Sequence, residues 1–309
     1  MRSYGRRNPK ITRSNMTVKN AVDYIYSKGL YNEVRDLFDS SCPYAVIKGK
    51  PLSMLIYNDI QERVTTDLDI LCPKKYCKNM VTQLKSLGFS EQNKDRFDIL
   101  FSKSFSHQYV PMVKKNKYMQ MTVDLNFDIL WGEYNGKRID IEGFISDAIE
   151  VEIYGIKVKT LPPLKALIQL ILHHYKEMNS IYHLAGHNSI TYSMFRDVYY
   201  LWKNNASLIS LEKLYVLSEK YQIIPYVFYI LCLTNEIFKD AELGKYVEKF
   251  CTNEGMELLD YYGLSEKERK HWKVDFKTRL EAECLYDIIR NDLTSEDIEK
   301  LKQNRRVFR

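Results

Sequence analysis

The character of the sequence changes near residue 160, and this change limits the folds that the chain can adopt. Before it, short runs of β-branched and aromatic residues such as "YAVIKG" at 44–49 and "TDLDILC" at 66–72 alternate with amphipathic stretches. From "PLKALIQLILHHYKEM" at 163–178 onward, apolar residues recur at helical spacing. At 309 residues the chain is longer than one average domain. We therefore predict an α+β unit over 1–160 followed by an α-helical unit over 161–309.

The predicted elements alternate in the first half and are helical in the second. Strands are expected at "YAVIKG", "TDLDILC", "FDILFSKSF" (97–105), "HQYVPMV" (107–113) and "YMQMTVDLNFDIL" (118–130), with a hairpin turning at Tyr154 and Gly155. Helices are expected after 17, after Gly49 and at 74–87, and then at 193–204, 210–220, 225–239, 241–251, 265–290 and 295–303.

Composition narrows the functional classes only modestly. Hydrophobic residues make up 45% and charged residues 28%, which is ordinary for a globular protein, and the formal charge of +6 favours anionic ligands such as nucleotides. The six cysteines form no CxxC pair, so we expect reduced thiols and a cytoplasmic protein. The longest apolar stretch, at 223–233, is too short to span a bilayer, and no membrane partner is expected.

Two aspartates one residue apart lie in the strand "TDLDILC". Residues i and i+2 of a strand point to the same face, so Asp67 and Asp69 should project together and repel each other. A divalent ion would relieve that repulsion, and Mg²⁺ prefers a few carboxylates together with water and phosphate oxygens. A third carboxylate is expected at such a site, and Asp124 in "VDLNF" is a better candidate than Asp128 further along the strand. Without further context, a solvated strand face or a strand-end turn is the more common explanation of such a pair.

Other motifs exclude several enzyme classes. The sequence contains no GxxxxGK[ST], no GxGxxG followed by an acidic ribose ligand and no GxSxG, which argues against P-loop, Rossmann and α/β-hydrolase folds. The "HLAGH" stretch at 183–187 has zinc-helix spacing but lacks the glutamate of HExxH. His173 and His174 lie in an apolar helix, where packing or a hydrogen bond between the two halves is the expected role.

The stretch "YAVIKGKPLSMLIYNDIQERVTTDLDILCP" resembles a poorly characterised nucleotidyltransferase family of the DNA polymerase β-like superfamily. That family shows a lysine-glycine strand end, a helix, an arginine and a D-(I/L)-D-(I/L)-L strand. "SHQYVPMV", "VDLNF", "LILHHYKE" and "FRDVYYLW" resemble its later motifs in the same order. The similarity covers about residues 40–205 and implies a polymerase-β-like core, a small mixed sheet with flanking helices, followed by an α-helical domain.

The resemblance also implies a reaction and roles for particular residues. Asp67, Asp69 and Asp124 would hold two Mg²⁺ ions, with Asp124 also orienting or deprotonating the attacking group. Lys48, Gly49 and Arg63 would bind the nucleotide: the lysine and arginine neutralise the triphosphate, and the glycine admits it close to the backbone. The expected reaction transfers a nucleoside monophosphate from an NTP such as ATP to a small-molecule, protein or RNA acceptor, with release of pyrophosphate.

Some positions depart from the family pattern, and two rival functions stay open. Lys50 replaces the Ser or Gly common after Gly49 in the superfamily, and Asn126 and Phe127 replace a histidine and a tryptophan. A catalytically silent nucleotide- or RNA-binding module is the first rival, which three intact aspartates argue against. A toxin-like enzyme that modifies tRNA is the second, and it would need a basic aromatic groove that the scattered lysines do not indicate. Lys48 and Arg63 also have a plainer interpretation as surface charges, and Arg196 and Asp197 as a structural pair.

Overall fold

The computed structural model describes residues 18–92, 99, 106–130, 138–186 and 189–308. The first half contains, in chain order, α1 (Val18–Glu33), α2 (Arg35–Phe38), β1 (Ala45–Val46), α3 (Gly49–Tyr57), β2 (Leu68–Leu71), α4 (Cys77–Ser86), β3 (Ser90–Glu91), β4 (Met112–Lys115), β5 (Gln120–Asn126), α5 (Ile141–Ile145), β6 (Ile149–Ile153) and β7 (Ile156–Thr160). The strand predicted at 97–105 falls outside the described residues apart from Ile99.

The second half is helical except for one short hairpin. It contains α6 (Pro163–Asn179), α7 (Ile181–Leu184), α8 (Tyr192–Asn204), α9 (Leu211–Lys220), α10 (Ile224–Phe238), α11 (Ala241–Phe250), α12 (Asn253–Leu259), β8 (Tyr261–Tyr262), β9 (Lys270–His271), α13 (Phe276–Glu281), α14 (Tyr286–Ile289) and α15 (Ser295–Phe308). Among these residues no helix combines the length and the apolar character that crossing a membrane would require.

The described strands of the first half form one mixed sheet in the order β3-β4-β5-β2-β1-β7-β6. β2 and β5 are parallel neighbours, β1 is antiparallel to β2 and parallel to β7, and the remaining pairs are antiparallel. The mixed α+β architecture agrees with the predicted fold class. The hairpin prediction is also confirmed, because Tyr154 and Gly155 adopt φ values of 55° and 77° at the tip between β6 and β7.

Apolar side chains cover both faces of the sheet. One core packs the sheet against α1, α2 and α4 and includes Leu68, Ile70, Val123 and Leu125. The other core begins with Ala45, Ile47 and Leu71 and continues through α3 and α6 into the helical half. The predicted boundary at residue 160 coincides with the last residue of the sheet, Thr160. Whether the two halves are separate domains stays a prediction, because this second core contains residues of both.

The single helix predicted over 265–290 is wrong. That segment contains the strand β9 and the short helices α13 and α14, and it follows a turn at Gly263 with φ of 100°. A Cβ at Gly263 would lie 2.4 Å from the carbonyl oxygen of Glu268, so the chain folds back on itself too closely for a side chain. The Asp275 side chain then accepts a hydrogen bond from the Thr278 N–H and begins a new helix.

Two contacts join α3 to α8 across the two halves. Asn204 donates through Nδ2 to the carbonyl oxygen of Ile56 at 2.8 Å, and Asn205 donates to that of Leu55 at 2.9 Å. These carbonyls belong to the last turn of α3, where a helix leaves acceptors without intrahelical partners. The helical half thus caps the C-terminal end of α3.

A buried ion pair fixes the loop that leads into β2. The Lys50 ammonium is fully buried, contacts the Asp23 carboxylate on α1, and donates to the carbonyl oxygen of Arg63 at 2.8 Å. The same carboxylate accepts the Thr65 N–H at 2.6 Å, and Tyr26 donates to the carbonyl oxygen of Thr66 at 2.6 Å. Helix α1, helix α3 and residues 63–66 are therefore held together immediately before the first aspartate.

Replacing Lys50 with methionine should strongly destabilise the protein. The substitution keeps an apolar stem but leaves Asp23 as a buried charge without its cation, which costs about 3–5 kcal/mol of the free energy of unfolding. Urea unfolding followed by circular dichroism would measure it. Lys157→Met is the control, since Lys157 pairs with Glu150 on the exposed face of the β6–β7 hairpin and its loss should barely move the midpoint. Equal effects of the two substitutions would contradict this assignment.

Candidate active site

The parallel pairing of β2 with β5 brings two aspartates side by side. Asp69 is the register partner of Asp124, and the flanking pairs are Leu68 with Val123 and Ile70 with Leu125. Those flanking side chains lie in the core formed with α1, α2 and α4, so alternation turns the two carboxylates toward the opposite face of the sheet. Adjacent strands lie about 4.8 Å apart, which is close enough for one ion to contact both carboxylates.

Asp67 completes the acidic group just before β2 begins. Burial first and then the charge of Asp69 raise the pKa of Asp67 to about 6. Burial, with Asp69 and Asp67 adding to it, raises the pKa of Asp124 to about 8. The three carboxylates thus lie within electrostatic reach of one another. Without a cation, Asp67 and Asp124 keep their protons up to a higher pH than an ordinary aspartate does.

Lys48 compensates part of this negative charge. Its ammonium lies 2.9 Å from Oδ1 of Asp69, and the Asp69 side chain is 5% exposed. Burial alone would raise the pKa of Asp69, but Lys48, with smaller contributions from His173 and Asn126, holds that pKa below its usual value. Asn126 also donates to Oδ1 of Asp69, at 3.3 Å, so this departure from the family pattern places an amide where it supports the aspartate.

Gly49 follows Lys48 at the start of α3. Its φ of +61° lies in the left-handed region, and a Cβ there would lie 3.3 Å from Oγ1 of Thr65. The glycine is therefore required by the backbone, whatever else it contacts. It leads the chain from Lys48, beside Asp69, into the N-terminal turn of a nine-residue helix, whose free N–H groups favour negative charge.

Arg63 lies at the contact between the two halves. Its guanidinium pairs with the carboxylate of Asp197 on α8, and the Tyr57 hydroxyl donates to the same carboxylate. The Arg196 guanidinium stands 5.2 Å from the centre of the Tyr57 ring and only 3.8 Å from Asp197. Asp197 thus pairs chiefly with Arg63 rather than with its chain neighbour, and Arg63 has a structural partner.

Helix α6 supplies groups that the sequence interpretation did not assign to the site. The charge of Lys176 acts on Asp124, and the His173 ring lies within electrostatic reach of Asp69. Glu177 acts on Lys48 in the same way. Residues 173, 176 and 177 lie on one face of a helix, because they are three and four positions apart. This spacing can be read from the sequence, but it indicates the site only when the position of the strand aspartates is known. The face of α6 that carries these residues therefore lies toward the carboxylates.

The remaining candidates lie elsewhere or serve the scaffold. Asp128 accepts from the N–H groups of Ile129 and Leu130 and pairs with Arg138 at 3.0 Å, so it shapes the turn after β5. His107 is buried, and its backbone carbonyl accepts hydrogen bonds from the N–H groups that follow β5. Of "HLAGH", His183 is described and His187 lies outside the described residues.

One carboxylate oxygen indicates that these residues fit a divalent cation. Oδ1 of Asp124 is buried and accepts no hydrogen bond from any described residue. A buried carboxylate oxygen without a partner is costly, and a divalent ion is the ligand that neighbouring carboxylates such as Asp69 and Asp124 would accept together. Asp67, Asp69 and Asp124 supply the oxygen donors that Mg²⁺ prefers, and no described side chain bonds to that Asp124 oxygen.

Comparison with known proteins agrees with this geometry. A family described as "Uncharacterised nucleotidyltransferase" matches residues 15–239, which include every residue of the site described above. No curated protein matches the chain. The crystal structure of an antigenic nucleotidyltransferase-like protein from Paracoccidioides brasiliensis is similar at 18% identity and a TM-score of 0.39, over 74% of this chain and 91% of that one. At this TM-score the family assignment does not depend on the structural likeness. The chain belongs to the uncharacterised nucleotidyltransferase family.

Proposed function

We propose that this protein transfers a nucleoside monophosphate from an NTP to an acceptor and releases pyrophosphate, in a reaction that depends on Mg²⁺. The observation that carries the proposal is the pairing of Asp69 with Asp124 on two parallel strands, with Asp67 just before the first of them. Oδ1 of Asp124 is buried and has no hydrogen-bond partner among the described residues. Family membership supports nucleotidyl transfer in general. The six cysteines are all free thiols, which supports the proposed cytoplasmic setting.

The residues around the carboxylates suit a triphosphate. Lys48 is placed to neutralise phosphate oxygens beside Asp69, because its side chain is 25% exposed and not fully enclosed by its partner. The N-terminal turn of α3, which Gly49 begins, offers backbone N–H groups to the same region. Arg63 would add a second cation if the triphosphate competes with Asp197 for its guanidinium.

Each residue then has a defined task in the transfer step. Bound Mg²⁺ would supply charge neutralisation for the phosphates and for the acceptor oxygen. Asp67 and Asp69 hold the phosphate side of the site, and Asp124 orients the acceptor and accepts its proton as the new bond to the α-phosphorus forms. The bond from the α-phosphorus to the bridging oxygen breaks, and pyrophosphate leaves with the electron pair of that bond. Most of the rate enhancement in such a reaction comes from positioning and electrostatics, which these fixed charges supply.

Replacing Asp69 with asparagine should abolish transfer. Asparagine keeps an oxygen for Lys48 and Asn126 but removes the charge, so we expect the rate to fall at least about 100-fold. The assay supplies each α-labelled NTP with Mg²⁺ and, separately, the small-molecule, protein and RNA fractions of a cell extract, and it follows both the label and pyrophosphate.

Asp128→Asn is the matched control for this assay. Asp128 lies on the same segment as Asp124 but is bonded to Arg138 and to the turn after β5, so its variant should retain activity. If the wild type binds Mg-NTP yet no fraction accepts the label, the protein is a nucleotide-binding module and the enzymatic proposal is wrong. Label on tRNA alone would favour the tRNA-modifying alternative.

Metal and pH should act on stability through Asp124. Its folded pKa of about 8 lies above the unfolded value, so the protonated carboxyl stabilises the metal-free fold at low pH, and this contribution is lost as the pH rises through about 8. With EDTA present, Asp124→Asn should therefore raise the free energy of unfolding near pH 9 by at least about 1 kcal/mol relative to the wild type, with a smaller difference near pH 5.

Adding Mg²⁺ should make the wild type more stable than Asp124→Asn, which is the reverse of the order expected with EDTA. The ion replaces the protons, so the melting temperature of the wild type should rise with Mg²⁺, and more at about pH 8 than at about pH 6, while Asp124→Asn should not respond. Differential scanning calorimetry across pH would measure both effects. A Mg²⁺ response that survives in Asp124→Asn would place the ion elsewhere.

Two substitutions that break the same ion pair separate the two roles of Arg63. Arg63→Gln removes the cation, whereas Asp197→Asn frees it from its partner. If Arg63 binds phosphate, the first should weaken Mg-NTP binding about tenfold or more, and the second should leave the affinity unchanged or stronger. Fluorescence competition with a labelled nucleotide would measure the two dissociation constants. Equal losses in both variants would mean that Arg63 only holds the loop before β2 against α8.

A further inference from the structure

A second group of candidate metal ligands lies on α6, outside the aspartates. His173, His174 and Glu177 each place a ligand atom within 4.8 Å of the other two. Nε2 of His173 lies 3.2 Å from Oε1 of Glu177, and Nδ1 of His174 lies 3.7 Å from Oε2. The three side chains are mostly enclosed, at 16%, 7% and 31% exposure respectively. We call them the α6 triad.

Hydrogen bonding within the helix accounts for only part of this arrangement. The contact between His173 and Glu177 is a hydrogen bond, but 3.7 Å between His174 and Glu177 is too long for one. Both ring nitrogens of His174 are buried and have no hydrogen-bond partner among the described residues. A buried imidazole normally satisfies at least one nitrogen, so His174 lacks the partner that a bound ligand would provide.

The spacing of the ligand atoms suits a small cation. Around an ion with bonds of about 2.1 Å, tetrahedral ligands are about 3.4 Å apart, which lies between the two observed separations. An imidazole with an ordinary pKa of about 6.5 is mostly neutral at physiological pH and keeps a lone pair for a metal ion. Of the cations whose charges reach these rings, Lys48 is paired with Asp69 and Arg63 with Asp197, while Lys176 also acts on His173. Glu177 supplies a negative charge among the three ligands.

Ligand chemistry distinguishes this group from the strand aspartates. Two imidazoles and one carboxylate suit borderline ions such as Zn²⁺ and Co²⁺, whereas Mg²⁺ prefers oxygen ligands alone. Three protein ligands leave a fourth position open, which is the arrangement of sites that bind water or substrate. We propose that His173, His174 and Glu177 form a binding site for a transition-metal ion, separate from the Mg²⁺ site of the three aspartates. The proposal does not depend on nucleotidyl transfer.

Cobalt titration of the full chain tests the site directly. Co²⁺ is added to the metal-free protein in the presence of excess Mg²⁺, which fills the aspartate site, and visible absorption and equilibrium dialysis report binding. We expect one Co²⁺ per chain, with the intense d–d absorption of a four- or five-coordinate ion that has nitrogen ligands. Glu177→Gln should weaken binding at least about tenfold, because it removes a ligand charge while keeping the shape of the side chain.

Matched variants separate this site from other imidazoles and carboxylates. His271→Ala removes an exposed histidine that packs on Tyr261, and Asp124→Asn removes an aspartate ligand, so both should leave the Co²⁺ spectrum unchanged. His174→Asn should lose the spectrum, with circular dichroism to confirm folding, and Glu177→Gln serves if His174→Asn does not fold. Absence of Co²⁺ binding, a spectrum that survives Glu177→Gln, or one that disappears only in Asp124→Asn would overturn the proposal.

Discussion

Repulsion between carboxylates is the constraint around which the sheet face is organised. Parallel pairing of β2 with β5 fixes Asp69 against Asp124, and neither can turn away without moving a core residue to the wrong face. The fold tolerates this charge through Lys48 and through protons retained on Asp67 and Asp124. Such an arrangement lowers stability in the absence of a cation, which is common at functional sites.

A second lysine, two positions later, has the opposite role. Lys50 is wholly enclosed and joins α1 to the loop before Asp67, while the Lys48 side chain, beside Asp69, is 25% exposed. Their side chains diverge because Gly49, between them, adopts a left-handed conformation. The position after Gly49 is thus occupied by a scaffold residue, whose charge is held by Asp23 and is not available to a nucleotide.

Much of this site was accessible from sequence, and the reasons are local. Alternation in "TDLDILC" predicts a shared face for Asp67 and Asp69, and a second strand pattern offers Asp124 as the third carboxylate, which the resemblance to a family also implies. That Asp124 lies beside Asp69 in particular depends on strand order and register, which pattern alone does not encode. The groups on α6 were missed for the same reason: their spacing defines a face but not what the face is turned toward.

The C-terminal region shows where pattern interpretation fails. The stretch at 265–290 was predicted as one helix. The backbone reverses at Gly263, so the chain returns as the strand β9, and a new helix starts only after Asp275. Likewise, Arg63 is a plausible phosphate ligand in sequence, and its pairing with Asp197 became visible only when α3 and α8 were brought together.

Helix α3 is anchored at both ends by different parts of the molecule. Its first residue follows the lysine at the carboxylates, and its final carbonyls are bonded by Asn204 and Asn205 of α8. A large hinge motion between the sheet and the helices would have to break those bonds and open the shared core. We expect the site around the three aspartates to be preassembled, so that substrate selection depends on its fixed shape and not on closure of one half over the other.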